Sequence, residues 1–257
     1  MNYTTYYSRG QKVFLINLTP ERNETVFDAF SATIVACDNH HFELRPRYKL
    51  FRGDAGGLQP GMQYKVTAES LGNGVQFNGT ITAVADNSFT LKPTGLIEMY
   101  QRSQVPRMDL VVPYRIFTKN APLDVFRREW QQLSAGLTSA SSNDLELTSG
   151  QINLGIGGIR YLADTAEQQT ELALVFVELE PGKPPLCAVA EQLWRRTLPD
   201  EESLAIGRRF VLIRKADQDR LRQFIQLHHK KKGQRPKPRK NNWELLDRML
   251  YPQNFNV

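Results

Sequence analysis

Five residues near the middle of the chain have side-chain chemistry or spacing suited to binding an anionic ligand. Arg102 and Arg107 lie on a segment that a proline restricts to extended backbone. About fifty residues later come Asn153, Gly155 and Gly158. A guanidinium pairs with phosphate oxygens or with the acceptor edge of guanine, and an Asn amide both donates and accepts hydrogen bonds. These residues would suit a nucleotide if the fold brings the two segments together.

The second segment has the pattern of a β-strand interrupted by glycines. Its apolar residues alternate with other residues at Ile152, Leu154, Ile156, Ile159 and Tyr161. Alternation with period two predicts a strand, and glycines inside a strand predict a bulge, a sharp turn or a close approach to the backbone. Asn153 would stand at the mouth of that turn.

These two segments resemble the two signature motifs of the PilZ domain, a family of bacterial cyclic di-GMP receptors. The first motif has two arginines separated by three residues, and the second reads Asp or Asn, any residue, Ser, any two residues, Gly. Asn153, Gly155 and Gly158 occupy the three fixed places of the second motif, and Arg107 is the last arginine of the first. The chain departs from the pattern twice, with Ser103 in place of Arg and Gly155 in place of Ser.

The resemblance implies a fold, a ligand and a mode of action. It implies a PilZ-like six-stranded barrel that binds cyclic di-GMP through Arg102, Arg107, Asn153, Gly155 and Gly158. The protein would be a receptor that regulates motility or surface attachment through a protein partner, such as flagellar or secretion machinery. The alternative is a PilZ-fold adaptor that has lost nucleotide binding and acts only by protein–protein interaction.

Short strands and turns throughout the chain predict a mainly β protein with two small β-barrel domains. Residues 1–95 are expected to form an N-terminal split barrel, and 96–107 an interdomain linker that carries the arginines. Residues 108–229 would form the PilZ-like domain, which ends in a helix. Residues 230–257 would be a basic tail with a short amphipathic helix.

The N-terminal half contains a repeat at an offset of 47 residues. Residues 33–46 align without gaps on residues 80–93, and the identical residues of the first copy are Thr33, Ile34, Ala36, Phe42, Leu44 and Pro46. The repeat has two interpretations, namely two hairpins of one barrel that follow the same pattern, or a duplicated site. The first is the simpler.

A helix is expected to follow the first strand of the second domain. Asn120 and Pro122 are typical of a helix start, and Gly136 of a helix end. Between them, Val125, Phe126, Trp130 and Leu133 would form one apolar face. Trp130 would then be a core residue, with a stacking platform for a base as the alternative.

Charge and composition narrow the classes of function. The net charge is +6, and the excess lies in residues 230–257, which hold eight Lys or Arg against two Asp or Glu. The two domains are nearly neutral, so nucleic acid is not favoured as a partner. The sequence contains no run of eighteen apolar residues, so no transmembrane helix is expected. A cytoplasmic location is expected.

Catalytic and metal-binding patterns are missing from the sequence. The histidines form two adjacent pairs, His40-His41 and His228-His229, which lack the spacing of a helical metal site. Cys37 and Cys187 stand in apolar contexts and are expected to be buried thiols. We therefore expect no enzyme activity, no metal and no cofactor other than the nucleotide ligand.

Overall fold

The computed structural model describes residues 2–20, 24–48, 57–70, 73–101, 107–138, 144–164, 169–198 and 203–231. The first seven strands are β1 Lys12–Asn17, β2 Val26–Cys37, β3 Phe42–Pro46, β4 Gln63–Ser70, β5 Asn73–Val84, β6 Phe89–Pro93 and β7 Glu98–Gln101. The next six are β8 Met108–Thr118, β9 Thr148–Gly155, β10 Gly158–Asp164, β11 Leu172–Val177, β12 Leu186–Thr197 and β13 Ser203–Arg214. The helices are α1 Leu123–Gly136 and α2 Lys215–Lys231, with a short 3₁₀ turn at Tyr3–Thr5.

The strands close into two antiparallel barrels. In the first barrel the order is β1, β4, β5, β6, β3 and β2, which returns to β1, and β7 adds to β5. In the second barrel it is β8, β9, β10, β13, β12 and β11, which returns to β8. Closure leaves no free edge within each ring of six strands. The prediction of a mainly β fold with two small barrels and a helix after the second is confirmed.

The two barrels share main-chain pairing as well as side-chain contacts. The end of β13 pairs with the start of β2, with Leu212 opposite Asp28 and Arg214 opposite Val26. The predicted boundaries at 95 and 107 stay predictions, because β7 lies within the expected linker and residues 102–106 lie outside the described residues. The basic tail from 232 onward also lies outside them.

The repeated hairpins have the same geometry. In β2–β3 the register shifts between Ile34 and Ala36, and in β5–β6 it shifts 47 residues later, between Ile81 and Ala83. A register shift of this kind marks a β-bulge, which bends and twists a strand. Both hairpins belong to the first barrel and neighbour each other through β3 and β6, which is the arrangement that the simpler interpretation predicted.

Apolar residues of the repeat also lie in the core of the first barrel. Phe42 lies opposite Leu91 and Leu44 opposite Phe89 in the pairing of β3 with β6. All four side chains are buried. The recurring sequence is therefore explained by matched packing, since equivalent residues of the two hairpins meet in one core.

Helix α1 begins and faces differently from the prediction. Its N-cap is Pro122, with no side-chain cap, so Asn120 does not fill that position. The buried face is formed by Leu123, Phe126, Trp130 and Ser134. Leu133 was predicted on this face, but it is 38% exposed. Leu133 lies at the edge of the buried face, and the packing of the helix against β11 and β12 leaves this edge partly exposed.

Trp130 is a core residue, as its first interpretation predicted. The side chain is buried, and its Nε1 donates a 2.9 Å hydrogen bond to the carbonyl oxygen of Cys187 on β12. A buried indole with its only donor satisfied has no face to offer a ligand. The alternative of a base-stacking platform is therefore wrong.

A set of polar residues lies where the barrels meet, and we call it the interface cluster. Its members are Arg209, Glu191, Ser31 and Tyr48. Arg209 of β13 donates from Nη2 to Oγ of Ser31 at 2.8 Å and to Oε1 of Glu191 at 2.7 Å. Its guanidinium also lies over the ring of Phe14, 3.6 Å from the ring centre. Tyr48 accepts a hydrogen bond from the Ser31 main chain, and burial, then the Glu191 charge, raises the pKa of its hydroxyl well above the usual value. The hydroxyl therefore stays protonated beside Glu191.

Candidate functional site

The Arg107 side chain lies on the hairpin formed by β9 and β10. Its Nε donates a 2.6 Å hydrogen bond to Oδ1 of Asn153. Its Nη2 donates to the carbonyl oxygens of Asn153, at 3.0 Å, and of Gly158, at 3.3 Å. Arg107 immediately precedes β8, and β8 pairs with β9, so strand pairing brings together two segments that are 46 residues apart in sequence.

A chain of polar side chains continues from Asn153 across the barrel surface. Nδ2 of Asn153 donates to Oδ1 of Asp109 at 2.8 Å. The same carboxylate oxygen accepts from Nη2 of Arg160 at 3.4 Å. Asp109 and Arg160 both lie opposite Asn153, one on β8 and the other on β10. We call Arg107, Asn153, Asp109 and Arg160 the polar row.

Gly155 makes room for the Arg107 side chain. A Cβ at position 155 would lie 3.0 Å from Cγ of Arg107 and 3.8 Å from its Cβ and Cδ. That spacing is tight, and a serine there would displace the arginine stem by a few tenths of an ångström. The second departure from the PilZ motif is thus matched to the way Arg107 lies on the hairpin.

Gly158 is required by the packing of the barrel itself. A Cβ at this position would lie 2.2 Å from the carbonyl oxygen of Arg208 and 3.0 Å from Cα of Arg209. These are backbone atoms of the adjacent strand β13, so a side chain cannot be accommodated by rotation. The close approach that glycines in a strand predict is therefore an approach between strands.

Four of the five predicted site residues lie together. Arg107, Asn153, Gly155 and Gly158 surround the tip of the β9–β10 hairpin. Arg102 lies outside the described residues. The binding role of all five stays a prediction. Sequence reasoning missed Asp109 and Arg160, and the signal that could have found them is strand alternation, because Arg160 is two residues beyond Gly158 on the same face.

The histidines and cysteines form no second site. His40 and His41 are exposed in the β2–β3 turn, where both main-chain N–H groups donate to Oδ1 of Asp38. Burial raises the pKa of the Cys187 thiol, and burial followed by Asp38 raises that of Cys37. Both cysteines are free. A raised thiol pKa lowers the fraction of reactive thiolate.

Within the described ranges, no three or more His, Cys, Asp or Glu side chains are grouped so that they could hold a metal ion. Neither helix that the structure describes is long and apolar enough to cross a membrane.

Comparisons with known proteins yield weak structural similarity. No protein-family model matches the chain, and no curated protein matches it. Among solved structures, the Bacillus subtilis inhibitor of motility MotI/DgrA is similar at 16% identity and a TM-score of 0.38, over 89% of this chain and 100% of that one. The complex of YcgR from Escherichia coli with c-di-GMP is similar at 13% identity and a TM-score of 0.30, over 86% of this chain and 85% of that one.

A PilZ-domain protein from Xanthomonas campestris is similar at 15% identity and a TM-score of 0.36, over 52% of this chain and 91% of that one. Similarities this low carry no conclusion about function. The assignment of the fold rests on this chain's own strand order and on the hairpin that carries its second motif. The second barrel, a closed six-stranded antiparallel barrel preceded by another barrel, is of the kind that the resemblance to PilZ domains implies.

Proposed function

We propose that this protein is a non-catalytic receptor for cyclic di-GMP that regulates motility or surface attachment through a protein partner. The observation that supports this proposal is the position of Arg107, whose guanidinium reaches Asn153 and Gly158 at an exposed hairpin tip. A guanidinium and an amide side chain within hydrogen-bond distance of each other are chemically matched to a guanine nucleotide.

The ligand's chemistry explains why these residue types suit it. Cyclic di-GMP carries two phosphodiesters and two guanines. Arginine forms paired hydrogen bonds with phosphate oxygens or with O6 and N7 of guanine, and its plane stacks on bases. Asn153 can donate and accept at a base edge once its present partners exchange for the ligand.

We propose that binding changes the angle between the two barrels. In the ligand-bound state, residues 96–107 would close over the hairpin, because Arg107 and the segment before it would pair with ligand phosphates. The first barrel continues directly into this segment through β7, which pairs with β5. Movement of the segment would therefore be transmitted to the first barrel, and the partner would bind one of the two arrangements.

The alternative function is a PilZ-fold adaptor that binds no nucleotide. It is favoured by the state of Asn153, whose Oδ1 accepts from Arg107 while Nδ2 donates to Asp109. The amide is thus satisfied without a ligand. Gly155 also lacks the hydroxyl that the PilZ motif has at this place, so one ligand hydrogen bond is absent or mediated by water.

Titration calorimetry with cyclic di-GMP tests the receptor against the adaptor. Wild type should bind, and Arg107→Ala should weaken binding by about tenfold to a hundredfold, because charge-assisted hydrogen bonds are lost. Arg196→Ala, which removes an exposed arginine of β12, is the matched control and should bind as wild type does. Absence of binding by folded wild type would reject the receptor and leave the adaptor.

Ser103→Arg tests whether the first departure from the motif limits affinity. The substitution restores the arginine pair of the PilZ motif, so we expect a lower Kd in the same titration. An unchanged Kd would contradict the view that the missing arginine at position 103 limits affinity.

A further inference from the structure

Arg160 is the polar residue of β10 that lies directly beside Asn153. The two residues are cross-strand partners on neighbouring strands, which lie roughly 4.8 Å apart. The Arg160 side chain is 51% exposed, and its Nη2 contacts Oδ1 of Asp109 at 3.4 Å. Its guanidinium therefore reaches the carboxylate that also holds the Asn153 amide.

We propose that Arg160 is a further ligand-binding residue, which supplies the second guanidinium that the chain lacks at Ser103. This inference rests on the proposed function, and it assigns the residue and the ligand chemistry. The group that Arg160 would bind is a phosphodiester of the cyclic dinucleotide.

The polar row places one cation on each side of the central amide. Arg107 approaches Asn153 from the turn of the hairpin, and Arg160 lies across the adjacent strand on the other side of Asn153 from Asp109. A ligand with two phosphodiesters carries two negative charges and needs two separated cations. An arginine from the barrel surface needs no closing segment to reach the site, because its strand already holds it there.

Asp109 holds Arg160 in the arrangement without ligand. Its carboxylate is 65% exposed and accepts from both Arg160 and Asn153. A phosphate oxygen can replace the carboxylate as the acceptor for Arg160, since both are anionic oxygen acceptors. Asp109 would then oppose binding in two ways, by occupying Arg160 and by repelling the phosphate.

Titration calorimetry of the full chain with cyclic di-GMP tests this assignment. Arg160→Ala should raise the Kd on the order of tenfold, because a charge-assisted contact is lost. Arg160→Lys should recover only part of that loss, since an ammonium lacks the planar fork of a guanidinium. Asp109→Asn should lower the Kd several-fold. Arg196→Ala serves as the control, and circular dichroism checks that each variant is folded.

The outcomes separate this inference from the proposed function. Binding that Arg107→Ala weakens and Arg160→Ala leaves unchanged would overturn the assignment of Arg160 and keep the receptor. No binding by folded wild type would overturn both. A higher Kd for Asp109→Asn would contradict the replacement of its carboxylate by phosphate, because the carboxylate would then support the bound state.

Discussion

At the residue scale, two adjacent glycines of the β9–β10 hairpin differ in what surrounds them. Gly158 touches the backbone of β13, whereas Gly157, one residue earlier, has open space where a side chain would begin. The two neighbouring positions have the same residue type and opposite surroundings. They therefore form a matched pair for experiment.

Gly158→Ala should lower the free energy of unfolding by about 1–3 kcal/mol, because the new methyl group would overlap the Arg208 carbonyl oxygen. Gly157→Ala is the control and should stay within about 0.5 kcal/mol of wild type, as an exposed substitution. Urea unfolding measures both. Equal stability of the two variants would contradict the assignment of Gly158 to strand packing.

The residue alternation around Asn153 was enough to predict a strand and a sharp turn, because both depend on local sequence. The hydrogen bond between Arg107 and Asn153 cannot be predicted from local sequence, because it depends on the register of β8 against β9. In that register Met108 lies opposite Leu154. Barrel closure sets that register, through contacts far apart in sequence. Strand alternation places Asp109 and Arg160 on the same face as Arg107 and Gly158, but their contacts around Asn153 depend on strand register.

At the element scale, helix α1 shows where helical periodicity suffices and where it does not. Its length and its buried Trp130 follow from the sequence pattern. Its rotation about its own axis does not, because Leu133 is exposed and Ser134 is buried. The buried face depends on β11 and β12, against which the helix packs. No periodicity within fourteen residues encodes that contact.

Trp130→Phe should lower the free energy of unfolding by about 1–3 kcal/mol, because the carbonyl oxygen of Cys187 would lose its indole partner in a buried site. Leu133→Ala on the same helix should change it by about 0.5 kcal/mol or less, since that side chain is partly exposed. Thermal unfolding measures both. A larger loss for Leu133→Ala would contradict the observed helix face.

At the scale of the whole molecule, we compare two ion pairs that lie near the contact between the barrels and differ in burial. Arg209 and Glu191 both lie on the second barrel and belong to the interface cluster, in which Arg209 contacts Ser31 and Phe14 of the first barrel. Arg47, after β3, and Glu171, before β11, bridge the barrels at 3.2 Å, but the Glu171 side chain is 51% exposed. We expect Arg209–Glu191 to contribute more to the free energy of unfolding than Arg47–Glu171, because water screens the exposed pair.

Glu191→Gln should lower the free energy of unfolding by about 1–3 kcal/mol, because the half-buried Arg209 guanidinium would keep a hydrogen-bond acceptor and lose its buried counter-charge. Glu171→Gln should cost less than about 1 kcal/mol. Urea unfolding followed by tryptophan fluorescence compares the two. If the two variants were equally stable, the interface cluster would not hold the barrels together.

The short ladder between β2 and β13 restricts how one barrel can move against the other. Leu212, Ile213 and Arg214 run antiparallel to residues 26–28, and Lys215 N–H donates to the Thr25 carbonyl at 2.9 Å. Any reorientation of the barrels that preserves these hydrogen bonds must be a rotation about the ladder. Sliding or complete separation would break them. When ligand binding reorients the barrels, the measured distances between labels on the two barrels should therefore change most for labels far from the ladder.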